Sequence, residues 1–279
     1  MSKQLNSYLS SNAHYEVYQS AYRPLHSTET ALLRVQNDIL TSIENKEITV
    51  LVLLDLSSAF DTVDHAILLN RLKNIGITGL VHDWFSSYLS GRTQAVFLDG
   101  VISDSVNLTC GVPQGSVLGP ILFNIYTQPL GEIARKRGMN TISMLTTHSC
   151  NINRISFSVS DSSSSIELIS NCIADIRSWM QSNLLKLNET KTEVILLGTK
   201  QQLSKVGNIE ISVRNVNIKP CSKVRNLGVI FDCNMTMEEH VNKVCKTSYF
   251  YIHLLGKLQK FLDKDTAASC FCHIKSRLL

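Results

Sequence analysis

The sequence predicts a mixed α+β fold, from three patterns along the chain. Residues 48–54 form a continuous β-rich apolar run, which is typical of a strand buried on both faces. Ser27 and the polar residues after it resemble a helix start, and apolar residues then recur at helical spacing as far as Ile43. Residues 240–262 form a second amphipathic helical pattern. We therefore expect a boundary near residues 215–235, between a mixed α/β body and a mainly helical end.

Shorter patterns predict the remaining elements. A helix is expected at about residues 63–75, and the pair Asp99-Gly100 predicts the turn of a β-hairpin. A run of serines predicts a polar loop at residues 160–165, before a helix at about residues 166–183. The other predicted strands are a hairpin-like pair at residues 192–197 and 209–213, and one short strand at residues 226–232.

Length and composition limit the classes of protein that this chain can be. With 279 residues, 44% hydrophobic and 18% charged, it can bury a sizeable core and approaches the length at which one domain splits into two. No apolar run reaches the ~18 residues of a membrane span, and the first residues lack the apolar centre of a secretory signal. We therefore predict a location inside the cell, in the cytoplasm or nucleus, with no membrane contact and no signal for an oligomer. A net charge of +4 permits nucleic-acid binding and fits an ordinary basic protein equally well.

The cysteines are scattered along the chain, and no Cys-x₂-Cys pair occurs. The tightest group, Cys270-Phe-Cys272-His273, is too closely spaced for a usual zinc half-site. Reduced thiols, as in intracellular proteins, are therefore the better interpretation.

A carboxylate follows directly on the predicted central strand. Asp55 stands at the strand's carboxyl end, where ligands commonly bind in α/β folds, and is a candidate metal ligand. A helix N-cap explains an aspartate at this position equally well. Asp61 and Asp64 are expected a turn into the following helix, solvated or paired rather than metal-binding. Phe60 either lines a ligand pocket or packs in the core, which is the usual place for an aromatic residue at helical spacing.

A second candidate is the loop Gly111-Val-Pro-Gln114-Gly115-Ser116, which is expected to open a helix. Its glycines allow the backbone to approach a ligand closely, and its free amides suit a phosphate or a base. Gln114 can both donate and accept hydrogen bonds. Alone, a loop of this kind is weak evidence for function. If it serves the same ligand as Asp55, the two segments must lie on the same side of the fold.

Five collinear segments together resemble the reverse transcriptase of non-long-terminal-repeat (LINE-like) retrotransposons. The segments run from Tyr18 to Leu32 (fingers), Leu54 to His65 (motif A), Gly111 to Pro120 (motif B), Ser178 to Glu193 (around motif D) and Val224 to Phe231 (primer grip and start of the thumb). The resemblance covers nearly the whole chain. It implies an RNA-directed DNA polymerase that performs template-directed nucleotidyl transfer.

The resemblance also implies the right-hand polymerase architecture, with palm, fingers and a partial helical thumb. Residues 1–50 would be partial fingers, residues 51–215 a palm with inserted fingers elements, and residues 216–279 a primer-grip strand and a truncated thumb. The chain is thus expected to begin inside the fingers, without the endonuclease of many such elements, and to stop inside the thumb.

Residue by residue, the resemblance implies a set of roles at one site. Asp55 is the implied metal ligand, and Lys191 lies near the nucleotide phosphates as a candidate proton donor. The residues implied to contact the nucleotide or the template are Phe60 (the sugar-discriminating aromatic), Gln114, Gly115 and Arg23. The implied cofactor is Mg²⁺, and the implied partners are an RNA template, a DNA primer and deoxynucleotides.

The chain departs from the family at motif C, where an aromatic residue followed by Ala-Asp-Asp is expected. No residue between Arg135 and Ser160 carries a carboxylate, and the expected position reads Ser143-Met144-Leu-Thr-Thr-His-Ser-Cys150. This string can be encoded as TCT ATG CTG ACG ACA CAC AGC TGT. Read from the third base, the same bases give Tyr-Ala-Asp-Asp-Thr-Gln-Leu. We infer a local frameshift from Met144 to Cys150, restored near Ile155.

Three functional hypotheses follow from these residues. A working enzyme extends a primer 3′-OH by in-line attack, and its two Mg²⁺ ions need several carboxylates around one point. A second hypothesis keeps the fold and a nucleic-acid cleft without the chemistry, and a third is a decayed genomic copy with no selected function. Thr, His, Ser and Cys cannot hold Mg²⁺ as two aspartates do, so we predict that this copy is inactive.

Overall fold

The computed structural model describes residues 1–142, 150–157, 162–206, 209–213 and 216–258, together with residues 261, 263, 266 and 269. The chain divides into two units, Met1–Cys221 and Ser222–Leu279, and each contains helices and strands. The α-helices are α1 (Ser2–Ser11), α2 (Thr28–Glu44), α3 (His65–Asn74), α4 (Gly79–Leu89), α5 (Gly119–Thr127), α6 (Pro129–Lys136), α7 (Ser162–Ser182), α8 (Lys200–Leu203) and α9 (Glu238–Leu258). The strands are β1 (Ile48–Leu54), β2 (Leu56–Ser57), β3 (Thr93–Gln94), β4 (Phe97–Leu98), β5 (Val101–Ile102), β6 (Val106–Asn107), β7 (Asn140–Ile142), β8 (Cys150–Phe157), β9 (Lys186–Leu187), β10 (Glu193–Leu197), β11 (Ile211–Val213), β12 (Val216–Ile218), β13 (Lys223–Asn226) and β14 (Val229–Asp232). The mixed α+β class predicted from the sequence is therefore observed.

Strand β1 lies in the middle of the main sheet of the first unit. The strand order is β10-β1-β8-β7, and all neighbours are antiparallel. Val50 and Val52 are fully buried in the main hydrophobic core, and Leu51 is fully buried on the opposite face of the strand. Helix α2 packs against β1. Burial on both faces explains why this segment is a continuous apolar run rather than an alternating one.

Helix α2 begins where the sequence predicts it. The Ser27 hydroxyl accepts a hydrogen bond from the Thr30 amide (3.1 Å), and the Thr30 hydroxyl accepts one from the Ser27 amide (2.9 Å). This capping box satisfies two amides that a helix start leaves free. Polar contacts hold the segment between α1 and α2 against α5 and α6. Glu16 pairs with Arg135 of α6, and the Asn124 side-chain amide of α5 donates to the Ala21 carbonyl (3.0 Å).

A polar joint connects the ends of α3, α5 and α7. The Tyr126 hydroxyl donates to the Asn183 carbonyl (2.6 Å), and the Arg71 guanidinium donates to the Asn183 side-chain oxygen (2.7 Å). Burial raises the pKa of Tyr126 and lowers the pKa of Arg71. The same Tyr126 oxygen lies 3.4 Å from the Asp64 amide, so the joint fixes the backbone just before α3.

Several predicted elements of the first unit are corrected by the structure. Strand β10 pairs with β1 and β11 pairs with β12, so the hairpin predicted between the two segments is wrong. The apolar pattern of a strand does not specify which other strand it pairs with. Helix α7 begins at Ser162, inside the predicted polar loop, since serine is favoured where helix amides are free. Asp64 is the N-cap of α3 and its carboxylate accepts from the Ile67 amide (2.8 Å), so Asp61 and Asp64 precede the helix. The hairpin turn at Asp99-Gly100 is confirmed, between β4 and β5.

The described residues of the second unit include a hairpin and a long helix. Residues 226–232 are not one strand, because β13 and β14 pair around a turn at Leu227 and Gly228, both with positive φ. Leucine is an uncommon turn residue, which is why the sequence pattern did not reveal the turn. Helix α9 follows over Glu238–Leu258, close to the prediction. Within the part of the chain that the structure describes, every helix falls short of the length and hydrophobicity that a bilayer crossing requires.

Candidate functional site

Asp55 connects β1 to β2 at the edge of the main sheet. Its backbone carbonyl accepts a hydrogen bond from the Asn188 amide (2.8 Å), and its Oδ2 atom accepts from the Asn188 side-chain amide (3.3 Å). The Lys191 ammonium lies 3.8 Å from the same Oδ2 atom. Because β2 follows rather than a helix, the N-cap interpretation of Asp55 is wrong.

The two carboxylate oxygens of Asp55 differ in their surroundings. Oδ1 is buried and has no hydrogen-bond partner among the described residues, and the whole residue is only 8% exposed. The Lys191 side chain is 69% exposed, so the ion pair on Oδ2 is screened by water and is worth ~0–1 kcal/mol. A buried carboxylate oxygen without a partner is costly, and a proton, a donor or a cation would satisfy it.

The glycine-containing loop is attached to the segment that follows Asp55. The Gly111 amide donates to the Val63 carbonyl (2.7 Å), and the Val112 amide donates to the Phe60 carbonyl (2.9 Å). Gly111 has a φ of +90°, and a Cβ atom there would lie 3.1 Å from the Asp61 carbonyl oxygen. Glycine is therefore required here both for its backbone conformation and for its close approach to the turn that contains Phe60 and Asp61.

Gln114 reaches the motif A segment through its side chain. Its amide donates to the Asp61 carboxylate (2.9 Å), so Asp61 has a hydrogen-bond partner in the loop. The Ser116 hydroxyl accepts from the Gly119 amide (3.0 Å), and helix α5 begins only at Gly119. The loop thus precedes the helix instead of forming its first turn.

A cavity of about 330 Å³ lies between these segments. The described residues that line it include Asp55, Phe60, Asp61, Gln114, Asn188 and Lys191, together with Ser57 and Ser58. Two carboxylates, one ammonium, two amides and an aromatic ring therefore meet in a cavity at the small end of the range for ligand pockets. Such a set can hold a mixed ligand that has a flat apolar part, hydroxyl groups and an anionic part.

The structure places the predicted site residues in two groups. Asp55, Phe60, Gln114 and Lys191 meet at the cavity, whereas Gly115 and Arg23 are not among its described lining residues. Phe60 lines the cavity and also packs in the hydrophobic core, where its ring centroid lies 5.0 Å from that of Phe123. The Arg23 guanidinium lies over the Tyr15 ring, 5.3 Å from its centroid. Gly115 has a positive φ and open space around it, which suits a backbone that a ligand can approach.

Asn188 is the residue that the sequence reasoning missed. It lies inside the segment that resembles motif D, yet neither its residue type nor its position in the pattern predicts a contact with Asp55. The contact depends on the pairing of β2 with β9, which brings residues far apart in sequence together. A pairing partner of this kind cannot be read from either strand alone.

The donor set can be tested against the Mg²⁺ that the resemblance implies. Asp55, whose buried Oδ1 atom has no hydrogen-bond partner in the described part of the chain, fits the role of one ligand. Among the described residues, however, no group of three or more His, Cys, Asp or Glu side chains could hold a metal ion. These residues therefore do not fit a two-metal centre, which needs several carboxylates around one point.

The strands next to motif C are positioned at the Asp55 end of β1. Strand β8 begins at Cys150, whose Cα partner in the sheet is Leu54, the residue before Asp55. Residues 143–149, which join β7 to β8 in the sequence, lie outside the described residues, and the predicted frameshift falls mostly on them. A carboxylate just before β8 would thus belong to the connection that ends at Cys150, and Cys150 pairs with Leu54, the residue before Asp55.

Comparison with known proteins identifies the family. A profile of the reverse transcriptase family (RNA-dependent DNA polymerase) matches residues 1–231. The chain belongs to the reverse transcriptase family. It is similar to a probable RNA-directed DNA polymerase from transposon X-element of Drosophila melanogaster, with 26% identity over 227 residues, which are 81% of this chain and 24% of that protein. It is also similar to the RNA-directed DNA polymerase from mobile element jockey of the same species, with 38% identity over 113 residues, 40% of this chain and 12% of the relative.

These matches confirm the predicted family, the reverse transcriptase domain of LINE-like retrotransposons. The chain spans about a quarter of the X-element relative. Among solved structures it resembles apo telomerase from Candida tropicalis, with a TM-score of 0.54 and 15% identity over 84% of this chain and 43% of that one. Telomerase from Candida albicans gives a TM-score of 0.53 and 13% identity over 98% of this chain and 46% of the other. At these identities the structural likeness establishes a shared α+β fold.

Proposed function

We propose that this reverse transcriptase domain binds an incoming deoxynucleotide at the Asp55 cavity but does not catalyse its transfer. The single observation that carries the proposal is the meeting of Asp55, Phe60, Gln114 and Lys191 around one cavity. Those four residues come from three separate parts of the sequence, and each carries the role that the family resemblance implies. RNA template, DNA primer and deoxynucleotides are accordingly the proposed partners.

The proposed architecture follows the polymerase hand. Residues 1–50 belong to the fingers, residues 51–215 form the palm with inserted fingers elements, and residues 216–279 hold the primer grip and part of the thumb. The four-stranded antiparallel sheet with β1 at its centre supports the palm assignment. The hairpin of β13 and β14 followed by α9 supports the assignment of primer grip and thumb.

A contact or a position at the cavity supports each of the roles proposed for Phe60, Lys191 and Gln114. Phe60 lines the cavity and packs its ring against Phe123 in the core, so it can limit the space beside a sugar. Lys191 brings an exposed ammonium to the same cavity, where it can neutralise phosphate oxygens or donate a proton. Gln114 holds Asp61 and has donor and acceptor capacity left for a base or a template strand. Gly115 and Arg23 are proposed contacts that a bound template or nucleotide would complete.

The proposed loss of activity rests on the absence of carboxylates from Arg135 to Ser160. The connection before β8 ends at Cys150, which pairs with Leu54, the residue before Asp55. Aspartates in that connection would therefore supply further carboxylates to the metal site of which Asp55 is one ligand. Mg²⁺ is the ion that the family resemblance implies. In this chain the Asp55 Oδ2 atom is in contact with Asn188 and Lys191.

The test compares extension of a labelled DNA primer on an RNA template by three proteins. They are this chain, a repaired chain that carries Tyr-Ala-Asp-Asp-Thr-Gln-Leu-Tyr at residues 143–150, and the repaired chain with Asp55→Ala. We expect extension only by the repaired chain, because a lost ligand cluster removes several kcal/mol of transition-state stabilisation at ~1.4 kcal/mol per tenfold in rate. The repaired chain with Asp104→Ala, an exposed aspartate outside the cavity lining, is the matched control.

Two results of this test would contradict the proposal. Robust extension by the unrepaired chain would show that the present residues support catalysis. Extension by the repaired chain that survives Asp55→Ala would remove Asp55 from the metal-ligand role. Binding of a fluorescent deoxynucleotide is measured for all four proteins, so that an inactive protein with an intact nucleotide site is distinguished from an unfolded one.

A second candidate function, nucleic-acid binding without chemistry, is supported by helix α9. Lys243, Lys246 and Lys257 are exposed along it, while Lys260, predicted with them, lies outside the described residues. If these lysines contact phosphates, affinity for an RNA–DNA duplex must fall steeply with salt, since each contact releases counterions. Affinity that stays flat between low and moderate salt would leave α9 as an ordinary solvated helix.

A further inference from the structure

The hydroxyl group of Tyr126 on α5 makes contact with two other parts of the first unit. It donates a hydrogen bond to the Asn183 carbonyl (2.6 Å) and accepts one from the Asp64 amide (3.4 Å). The Tyr126 side chain is fully buried, and it is not among the described residues that line the Asp55 cavity. Because the contact lies in the packed interior, it restricts the relative positions of the three segments more than a contact in water would.

Each of these three segments continues into one wall of the Asp55 cavity. Asp64 stands three positions after Asp61, which lines the cavity. Helix α5, which carries the hydroxyl group, begins shortly after the glycine-containing loop. Asn183 directly follows α7 and stands five positions before Asn188, which lines the cavity from the other side. Three segments that are far apart in sequence therefore meet twice, once around the cavity and once at the hydroxyl group.

Two backbone hydrogen bonds join the same walls at the cavity itself. The Asn188 amide donates to the Asp55 carbonyl (2.8 Å), and the Val112 amide donates to the Phe60 carbonyl (2.9 Å). The chain between Asn183 and Asn188 is short and contains β9, which pairs with β2. A change in the contacts of the hydroxyl group is therefore transmitted to these two bonds over a few residues.

We propose that Tyr126 is a positioning residue for the Asp55 cavity, and that its hydroxyl group keeps the three walls in their relative positions without touching a ligand. Arg71 of α3 assists on one side only. Its guanidinium donates to the Asn183 side-chain oxygen (2.7 Å) and so joins α3 to α7. The consequence for nucleotide binding rests on the proposed function, whereas the consequence for the walls does not.

The first measurement is hydrogen exchange of the Asn188 and Val112 amides by NMR, at a temperature at which the variants are folded. Tyr126→Phe keeps the ring and removes the hydroxyl group, so both amides should exchange roughly tenfold faster, as expected for the loss of one buried hydrogen bond. Arg71→Met should accelerate the exchange of Asn188 and leave Val112 unchanged. This second variant keeps the test decisive if Tyr126→Phe does not fold.

Tyr8→Phe is the matched control, because it also removes a tyrosine hydroxyl group that donates to a backbone carbonyl. That carbonyl belongs to Ile75, at a distance of 2.7 Å. Ile75 follows the end of α3 opposite to Asp64 and is not among the described residues of the cavity lining. Urea unfolding should register the lost bond in this control, while the two amides at the cavity keep their wild-type exchange rates.

The second measurement is the affinity for a fluorescent deoxynucleotide. Tyr126→Phe should weaken binding roughly tenfold, because the residues that would contact the nucleotide are no longer held in place. Tyr8→Phe should leave the affinity unchanged. A general loss of stability would affect both variants alike, so the difference between them isolates the positioning role.

Four results would overturn the inference. They are wild-type exchange of both amides in Tyr126→Phe, wild-type exchange of Asn188 in Arg71→Met, acceleration of both amides in Tyr8→Phe as large as in Tyr126→Phe, and wild-type affinity for the deoxynucleotide in Tyr126→Phe. The proposed function fails separately, if the wild-type chain binds no deoxynucleotide. Faster exchange in Tyr126→Phe and Arg71→Met, with no change in Tyr8→Phe, would support the positioning role in that case too.

Discussion

Two helices of equal length show how differently the two units bury their apolar faces. Helices α7 and α9 each have 21 residues and an amphipathic sequence. Ile169, Ile173 and Ile176 of α7 are fully buried in the core of the first unit. Along Glu238–Leu258, by contrast, α9 has no buried residue. An amphipathic pattern therefore predicts that a helix forms, but it does not predict that the apolar face of that helix is buried against other residues.

The largest effect expected from this comparison is a difference between two identical substitutions. Ile173→Ala in α7 removes a side chain that is 1% exposed and should lower the free energy of unfolding by about 2–5 kcal/mol through lost burial and a residual cavity. Ile252→Ala in α9 removes one that is 58% exposed and should change it by less than about 0.5 kcal/mol. Urea unfolding of both variants measures the two values. Equal losses would show that the apolar face of α9 is covered in solution.

A matched pair of glycines tests whether the first unit is also more tightly constrained in its loops. Gly111 and Gly228 have φ values of +90° and +92°, so alanine at either position costs roughly 1–2 kcal/mol of backbone strain. Only at Gly111 would the new Cβ meet neighbouring backbone, at 3.1 Å from the Asp61 carbonyl. We therefore expect Gly111→Ala to destabilise the protein more than Gly228→Ala and to weaken deoxynucleotide binding as well. Equal destabilisation, with unchanged binding, would contradict the close packing of the loop on the motif A segment.

Local patterns predicted those parts of the fold that depend on neighbouring residues. The bounds of β1, the Ser27 cap and the turn at Asp99-Gly100 each follow from a few consecutive residues. Pairings between distant segments did not follow, which is why β10 was assigned to the wrong partner. The same limit applies to the site. Asp55 and Gln114 could be named from their motifs, but the contact of Asn188 with Asp55 exists only once β2 and β9 have paired.

Asp55 in the first unit and Asp232 in the second accept hydrogen bonds from different kinds of partner. Substitution of Asn188 tests the contacts of Asp55. Asn188→Ala removes the 3.3 Å contact to Asp55 Oδ2 and should cost about 1 kcal/mol, because a long and partly exposed contact is worth less than a short buried one. Lys191→Met should cost less, since the Lys191 side chain is 69% exposed and exposed ion pairs contribute ~0–1 kcal/mol. A double-mutant cycle in urea unfolding separates the two contributions. A larger loss for Lys191→Met would show that the ammonium, rather than the amide, holds the carboxylate.

The smallest expected effect concerns the other aspartate, Asp232, and its dependence on pH. Burial raises the pKa of Asp232, but hydrogen bonds from Thr236, Met237 and Asn234 outweigh it and hold the pKa below its ordinary value. A carboxylate whose pKa is lower in the folded state contributes stability above its unfolded pKa of about 3.9. That contribution is lost as the pH falls through the lower folded value.

The test of Asp232 is the pH dependence of the order around the start of α9. The amide signal of Met237, which donates to Asp232 Oδ2 at 2.7 Å, should keep its native shift down to about pH 4 and change below it. In Asp232→Asn, which cannot accept through two charged oxygens, the change should disappear, while the neighbouring acidic pair Glu238 and Glu239 remains as an internal control. A transition that persists in Asp232→Asn would assign the acid sensitivity to those glutamates. The Asp232 carboxylate and its three donor residues would then form a turn that does not control how the second unit responds to acid.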